Sequence, residues 1–221
     1  MYRKSRLPVA GGNMESPPWL DVRVPKEAMD YLWDEIDRAK TQPQLDARET
    51  LAGNISKSYH IQDNEMDWFY KTYLQGLAES LFFKSWDNYY NVNILKAQPH
   101  PTWMLDALWV NHQKKHEFNP PHSHSAGMGY SFVIFMKIPT HWEEQHALPF
   151  SARSTFPCAS DFLFSWGEGY GPIRQTRFNL SPEDESRMLF FPAWLTHQVF
   201  PFYGTEEERI TISGNIVDDS Y

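Results

Sequence analysis

The stretch Arg209-Ile210-Thr211-Ile212-Ser213-Gly214-Asn215-Ile216 decides how the chain is read. Side chains alternate across a strand, so Ile210, Ile212 and Ile216 share one face while Arg209, Thr211, Ser213 and Asn215 share the other. In a half-exposed strand the isoleucines turn inward and the polar face meets water. In a barrel whose outer face is covered by helices, the polar face lines a pocket instead, and an arginine fork beside a hydroxyl would bind a carboxylate bidentately.

The sequence around this strand supplies both a barrel and helices to cover it. From about Trp103 onward, short runs of β-branched and aromatic residues alternate with Pro, Gly, Asn and acidic clusters. They mark strands over 104–112, 128–138, 161–166, 173–180, 188–191, 196–202 and 209–217, with a hairpin turn at 167–171 and a surface insertion at 140–157. Such a series without intervening helices points to a sandwich or barrel. Upstream, Pro25 is well placed in a first helical turn, and Ala28, Met29, Leu32, Trp33 and Ile36 recur at helical spacing to about Lys40. A second, longer helix starts at Asp63 or Asn64 and carries Met66, Phe69, Tyr70, Tyr73, Leu74, Leu77, Ala78, Leu81 and Phe82. The expectation is one domain over 1–221, with an irregular tail at 1–23, a helical layer at 24–100 and a barrel core at 101–221.

Composition narrows the function classes. The chain has 221 residues, 16% of them aromatic, ample packing material for one sizeable core. A formal net charge of −8 gives the chain as a whole no electrostatic reason to approach a nucleic-acid backbone. No stretch approaches the roughly 20 apolar residues of a membrane span, and no apolar signal region follows the short basic run at Arg3-Lys4-Ser5-Arg6. The single cysteine, Cys158, excludes an internal disulfide and a cysteine-rich zinc site, fits a reducing cytoplasm, and reads as a small buried side chain. Oligomeric state leaves no signal.

Histidines carry the candidate chemistry. In Asn119-Pro120-Pro121-His122-Ser123-His124, two histidines two apart on extended chain point the same way, so both could face one metal, although loop histidines also occur in such pairs. His197 shares a strand face with Val199 in an aromatic passage, where it could be a third ligand or a hydrogen-bonded core residue. Three convergent imidazoles suit iron or zinc. Tyr130, just past a turn containing Gly127, and Asn111, the polar end of a strand otherwise bearing Ala107 and Trp109, are further pocket candidates, each with an equal structural reading. His60, His100, His112, His116, His141 and His146 fall in loops or at strand ends and read mostly as surface residues.

Taken together, His122-x-His124, the distal His197, and Arg209 twelve residues later beside Thr211 and Ser213 resemble the 2-oxoglutarate/Fe(II) oxygenases. The segments 119–139, 191–197 and 201–216 are similar to a branch of that family found in bacteria and marine phages. The resemblance covers roughly 103–217, and more loosely 51–55. It implies a double-stranded β-helix (jelly-roll, cupin-like) barrel with N-terminal helices. It further implies Fe(II) held by His122, His124 and His197, and 2-oxoglutarate as a small-molecule co-substrate held by Arg209 with Thr211, Ser213 and, around the pocket, Tyr130 and Asn111. Molecular oxygen would be consumed in oxidative decarboxylation coupled to hydroxylation of a further substrate, in the cytoplasm of a bacterium or of a phage host. The family's motif has a carboxylate where this chain has His124, so the triad is three histidines, or an acid such as Glu117 or Asp106 completes it. Two other classes stay open: a cupin-type three-histidine dioxygenase or isomerase that does not use 2-oxoglutarate, and a non-catalytic jelly roll with structural histidines.

Overall fold

The computed structural model describes residues 10–11, 16–89, 101–124, 129–167 and 171–219. The expected turn at Gly127 and the centre of the expected hairpin, 168–170, lie outside them, as does His100. Eleven described strands are numbered in chain order: β1 (Ala10–Gly11), β2 (Leu20–Arg23), β3 (Ser58–His60), β4 (Trp103–Gln113), β5 (Asn119–His122), β6 (Gly129–Lys137), β7 (Phe162–Gly167), β8 (Ile173–Phe178), β9 (Arg187–Pro192), β10 (Thr196–Val199) and β11 (Arg209–Asp218). They form two antiparallel sheets, the larger ordered β1-β2-β9-β6-β11-β4-β3 and the smaller β5-β10-β7-β8. The fold is a jelly roll whose two sheets face one another without closing into a continuous barrel.

Every barrel strand expected from the sequence is present, most within two residues at each end; the strand begun at Thr196 stops at Val199. The tail is corrected. Leu20–Arg23 is not irregular but pairs with β9 in the larger sheet, with Leu20 and Val22 buried. Four residues with only two apolar side chains give too short a period to recognise a strand without its partner.

Helices α1 (Lys26–Lys40), α2 (Asn64–Phe69) and α3 (Gln75–Tyr89) cover the outer face of the larger sheet, with a π-helical turn at Tyr70–Leu74 joining the last two. In α1 the spacing of Ala28, Leu32, Ile36 and Ala39 puts all four on one buried face. They share a core with Leu74, Leu77 and Leu81 of the second helical segment and with Ile210, Ile212 and Ile216 of β11. Burying each such aliphatic side chain contributes roughly 1.5–3 kcal/mol. The isoleucine face of β11 is therefore the outer, helix-covered face, and its polar face turns between the sheets.

At Gly214 the outer face of β11 makes room for a neighbour. A Cβ there would lie 2.6 Å from the Phe132 ring and 2.6 Å from the Ala107 carbonyl, so only glycine lets the phenylalanine of β6 lie across the strand. A second core fills the space between the sheets, built from Phe135, Phe162, Phe164, Phe191 and Leu195. The insertion at 140–157 carries a short helix, α4 (Trp142–His146).

Candidate active site

His122 and His197 face each other because β5 and β10 pair antiparallel with these two residues as register partners. Their ring centroids are 4.2 Å apart, and His124 stands 5.4 Å from each. One potential ligand atom from each of the three lies within 4.8 Å of the others. His124 reaches this position on a short extension of β5 fixed by its backbone N–H to the Ala193 carbonyl at 2.9 Å.

The ring nitrogens are oriented from behind. Nδ1 of His122 lies 2.8 Å from the Pro120 carbonyl and Nδ1 of His197 lies 3.0 Å from the Leu195 carbonyl. A carbonyl can only accept, so both Nδ1 atoms carry a proton, which leaves Nε2 of each ring as the nitrogen free to face a metal. Burial pushes the pKa of His197 down to about 3 and that of His124 down to about 4, and the neighbouring His122 adds to both effects. Phe162 and Phe191 pack on the His197 ring, with centroids at 6.1 and 4.8 Å. Neutral imidazoles with aimed lone pairs are the form in which histidine binds a transition metal, so this donor set fits Fe(II).

The cluster lines a cavity of about 370 Å³ between the sheets. Thr211, Ser213 and Asn215 of β11 line it, as expected of the polar face, and so does Asn111, the register partner of Thr211 on β4. Asn111 accepts a hydrogen bond from Ser58 at 2.8 Å and Asn215 accepts one from Ser131 at 2.8 Å. With their oxygens engaged, the two amides keep their N–H₂ groups as donors. No Asp, Glu, Lys or Arg is among the described residues of the lining.

Arg209 is 0% exposed and sits on the same strand face, though not in the cavity wall; Thr211, two residues on, lines the wall. Its Nη2 donates to the Ser160 carbonyl at 2.9 Å and to the Ser160 hydroxyl, and its guanidinium lies 5.1 Å from the Phe202 ring centre. Nε and Nη1 have no partner among the described residues. Burial lowers the guanidinium pKa to about 10, partly offset by Asp161, and leaves it a cation at neutral pH. A buried cation with two idle donors costs free energy until an anion satisfies them, which fits a carboxylate of the co-substrate.

Several expectations need correction. Tyr130 does not reach the cavity: its ring packs against Trp103 and Phe190 at 5.0 and 5.3 Å, in the core beneath the helices. The reason is parity, since Tyr130 shares a face of β6 with Phe132, Ile134 and Met136 of that core, while Ser131 and Val133 on the other face line the cavity and only Phe132 of the first set also borders it. Glu117 is no substitute ligand, because its carboxylate accepts the backbone N–H groups of Ser56 and Lys114 at 3.0 and 2.8 Å. Asp106 is exposed. Three histidines expected at the surface lie elsewhere: His60 lines the cavity, His112 is buried and bonds Glu208 at 2.9 Å, and His146 bonds Asp161 at 3.0 Å. Cys158 is half-buried rather than buried. The loop at 50–53 also lines the cavity, for which the only sequence signal was the looser resemblance at 51–55.

Residues 107–215 match the family model described as "Putative 2OG-Fe(II) oxygenase". No curated protein matches the chain in sequence. Among solved structures, the chain is similar in fold to a Pseudomonas putida prolyl-4-hydroxylase, at TM-score 0.53 and 12% identity over 94% of this chain and 96% of that one. It is also similar to SnoK, a non-heme alpha ketoglutarate dependent carbocyclase from nogalamycin biosynthesis, at TM-score 0.55 and 6% identity over 90% of this chain and 79% of that one. AviO1 from Streptomyces viridochromogenes Tue57 gives TM-score 0.53 and 12% identity, over 91% and 90% of the two chains. No described helix is long and apolar enough to cross a membrane. With the family match lying on the segment that builds most of the cavity, residues 107–215 are a 2OG-Fe(II) oxygenase segment, and the protein is a 2-oxoglutarate-dependent dioxygenase that works with Fe(II) and O₂.

Proposed function

We propose that His122, His124 and His197 hold the iron, that Arg209 with Thr211 and Ser213 receives the far carboxylate of 2-oxoglutarate, and that the reaction is hydroxylation of a second, small or side-chain substrate in the same cavity. The observation that carries this reading is the convergence of three imidazoles within 4.8 Å on one cavity whose polar strand runs from the buried, half-satisfied Arg209. Bound there, Fe(II) supplies the activation of O₂ that couples oxidative decarboxylation of 2-oxoglutarate to oxygenation of a C–H bond.

The chain's own part is binding and exclusion. The carbonyls of Pro120 and Leu195 hold two imidazoles in one tautomer, and Phe162 and Phe191 keep water from the His197 side. Thr211 and Ser213 offer hydroxyls along the path between the histidines and Arg209. At a rise of about 3.4 Å per residue, Asn215 lies some 20 Å along β11 from Arg209, beyond the reach of a five-carbon acid anchored there. Asn215 and Ser131 are therefore offered to the second substrate, whose reacting end would be uncharged to suit a wall whose described residues include no Asp, Glu, Lys or Arg. The chain is read as one domain, a jelly roll with its helical layer.

The test is incubation with Fe(II), ascorbate and 2-oxoglutarate, following succinate. Slow succinate release without added substrate, abolished by His197→Ala, is the expected result. Metal binding without any binding of 2-oxoglutarate would favour a three-histidine enzyme of the cupin type instead.

A further inference from the structure

Arg209 is held by one residue that occupies an uncommon conformation. Nη2 donates both to the backbone carbonyl of Ser160, at 2.9 Å, and to its hydroxyl. Ser160 is fully buried and has φ +75°, in the left-handed region that a residue with a Cβ adopts only under strain. Such a conformation persists only where the surroundings impose it. Here the Ser160 N–H donates to the Pro201 carbonyl at 2.9 Å, and the Phe200 N–H donates to the Asp161 carbonyl at 2.9 Å. Thr140 Oγ1 lies 3.3 Å from the Ser160 hydroxyl. His146 and Arg177 engage the Asp161 carboxylate at 3.0 and 3.6 Å.

The consequence of the turn is that carbonyl and hydroxyl of one residue point at one guanidinium nitrogen. The Phe202 ring, 5.1 Å away, restricts the guanidinium further. Nε and Nη1 are left as the donors without a partner among the described residues. An arginine fixed by one nitrogen keeps the others aimed, and little ordering entropy then remains to be lost when an anion arrives.

We propose that Ser160 is a positioning residue for the co-substrate: by holding Nη2 of Arg209 it orients the remaining donors toward the far carboxylate of the 2-oxo acid and so sets the preference for a dicarboxylate. This rests on the reading of Arg209 given above. The Ser160 hydroxyl touches neither the cavity nor the histidines, so its effect is confined to the end of the acid that Arg209 receives.

Two variants separate this role from a structural one. Ser160→Ala removes the hydroxyl and keeps the strained backbone, whereas Ser160→Gly removes it and accepts φ +75° without strain, so folding is retained in at least the second. Wild type and both variants, loaded anaerobically with Co(II) in place of iron, are titrated calorimetrically with 2-oxoglutarate and with 2-oxobutyrate, which lacks the second carboxylate. The expected result is a roughly tenfold loss of affinity for 2-oxoglutarate in both variants, the scale of one hydrogen bond to a charged group, with 2-oxobutyrate and Co(II) binding unchanged. Unchanged 2-oxoglutarate affinity overturns the proposal, and so does a parallel loss for both acids and the metal, which marks a structural role. A wild-type protein that binds Co(II) but not 2-oxoglutarate fails before any variant is compared, and that pattern defeats the reading of Arg209 itself.

Discussion

His122 and His197 are register partners across the β5–β10 pair, with ring centroids 4.2 Å apart, although 75 positions separate them in the chain (197 minus 122). The pairing of two short strands thus places two imidazoles on one side of the smaller sheet, and a third joins them from the residue two beyond His122.

Replacing any one of these histidines by alanine should weaken Co(II) or Fe(II) binding by more than roughly 100-fold, equivalent to about 2.8 kcal/mol. The informative variant is His124→Ala, since a carboxylate is the family's usual residue there. Anaerobic metal titration checks it, and undiminished affinity in His124→Ala would remove that residue from the ligand set.

Arg209→Gln keeps a polar side chain but removes the charge and most of the donors. The expected outcome is a loss of about 2–5 kcal/mol in 2-oxoglutarate binding, the range for truncating one partner of a buried charged contact. Metal affinity should stay at the wild-type level. Equilibrium titration of both ligands on the same preparation distinguishes a local effect from misfolding.

The depressed pKa values of His197 and His124 make metal-free stability depend on pH with a definite sign. Their folded values of about 3 and about 4 lie below the ordinary histidine value of 6.5, so the unfolded chain binds more protons between these limits. The stability they contribute is complete above pH 6.5 and is lost as pH falls, at up to about 1.4 kcal/mol per pH unit for each imidazole kept neutral. Urea midpoints measured on chelated protein from pH 7.5 down to 4.5 should fall accordingly. His197→Phe should flatten the dependence; an equal slope in that variant would contradict the assignment.

Gly214→Ala tests the outer side of the same strand. Its added methyl meets the Phe132 ring and the Ala107 carbonyl, each at 2.6 Å, so a destabilisation of about 1–3 kcal/mol is expected from overpacking. The smaller Phe132→Leu side chain should recover part of it in the double variant. Thermal unfolding of the four proteins in a double-mutant cycle measures the coupling, and additive effects would show that the two positions do not meet.

Much of this architecture was legible before the strands were assembled. Alternation in β11 separated an isoleucine face from a polar one, and helical spacing in α1 supplied a layer able to cover the former, so an inward turn of Thr211, Ser213 and Asn215 was one of the two readings that periodicity left open. The spacing of His122, His124, His197 and Arg209 carried the family resemblance that the match over 107–215 bears out. Tyr130 shows the limit of such reading: it lies near the histidines in sequence, yet strand parity, fixed only by pairing with β9 and β11, turns it to the other core.

What the sequence determined by itself was therefore seven of the strands, the alternation of the last one and the residues whose chemistry suits a metal and an acid, because these depend on local periodicity and side-chain type. Tertiary structure decided that His60 belongs to the cavity and gave the loop at 50–53, hinted at only by the looser resemblance, its place there. It also decided that Arg209 is anchored by Ser160 and that Asn111 and Asn215 are oriented by serines on neighbouring strands. Those partners are brought together by strand register and loop closure, which bind residues 49, 53 and 84 positions apart and leave no periodic trace in the chain.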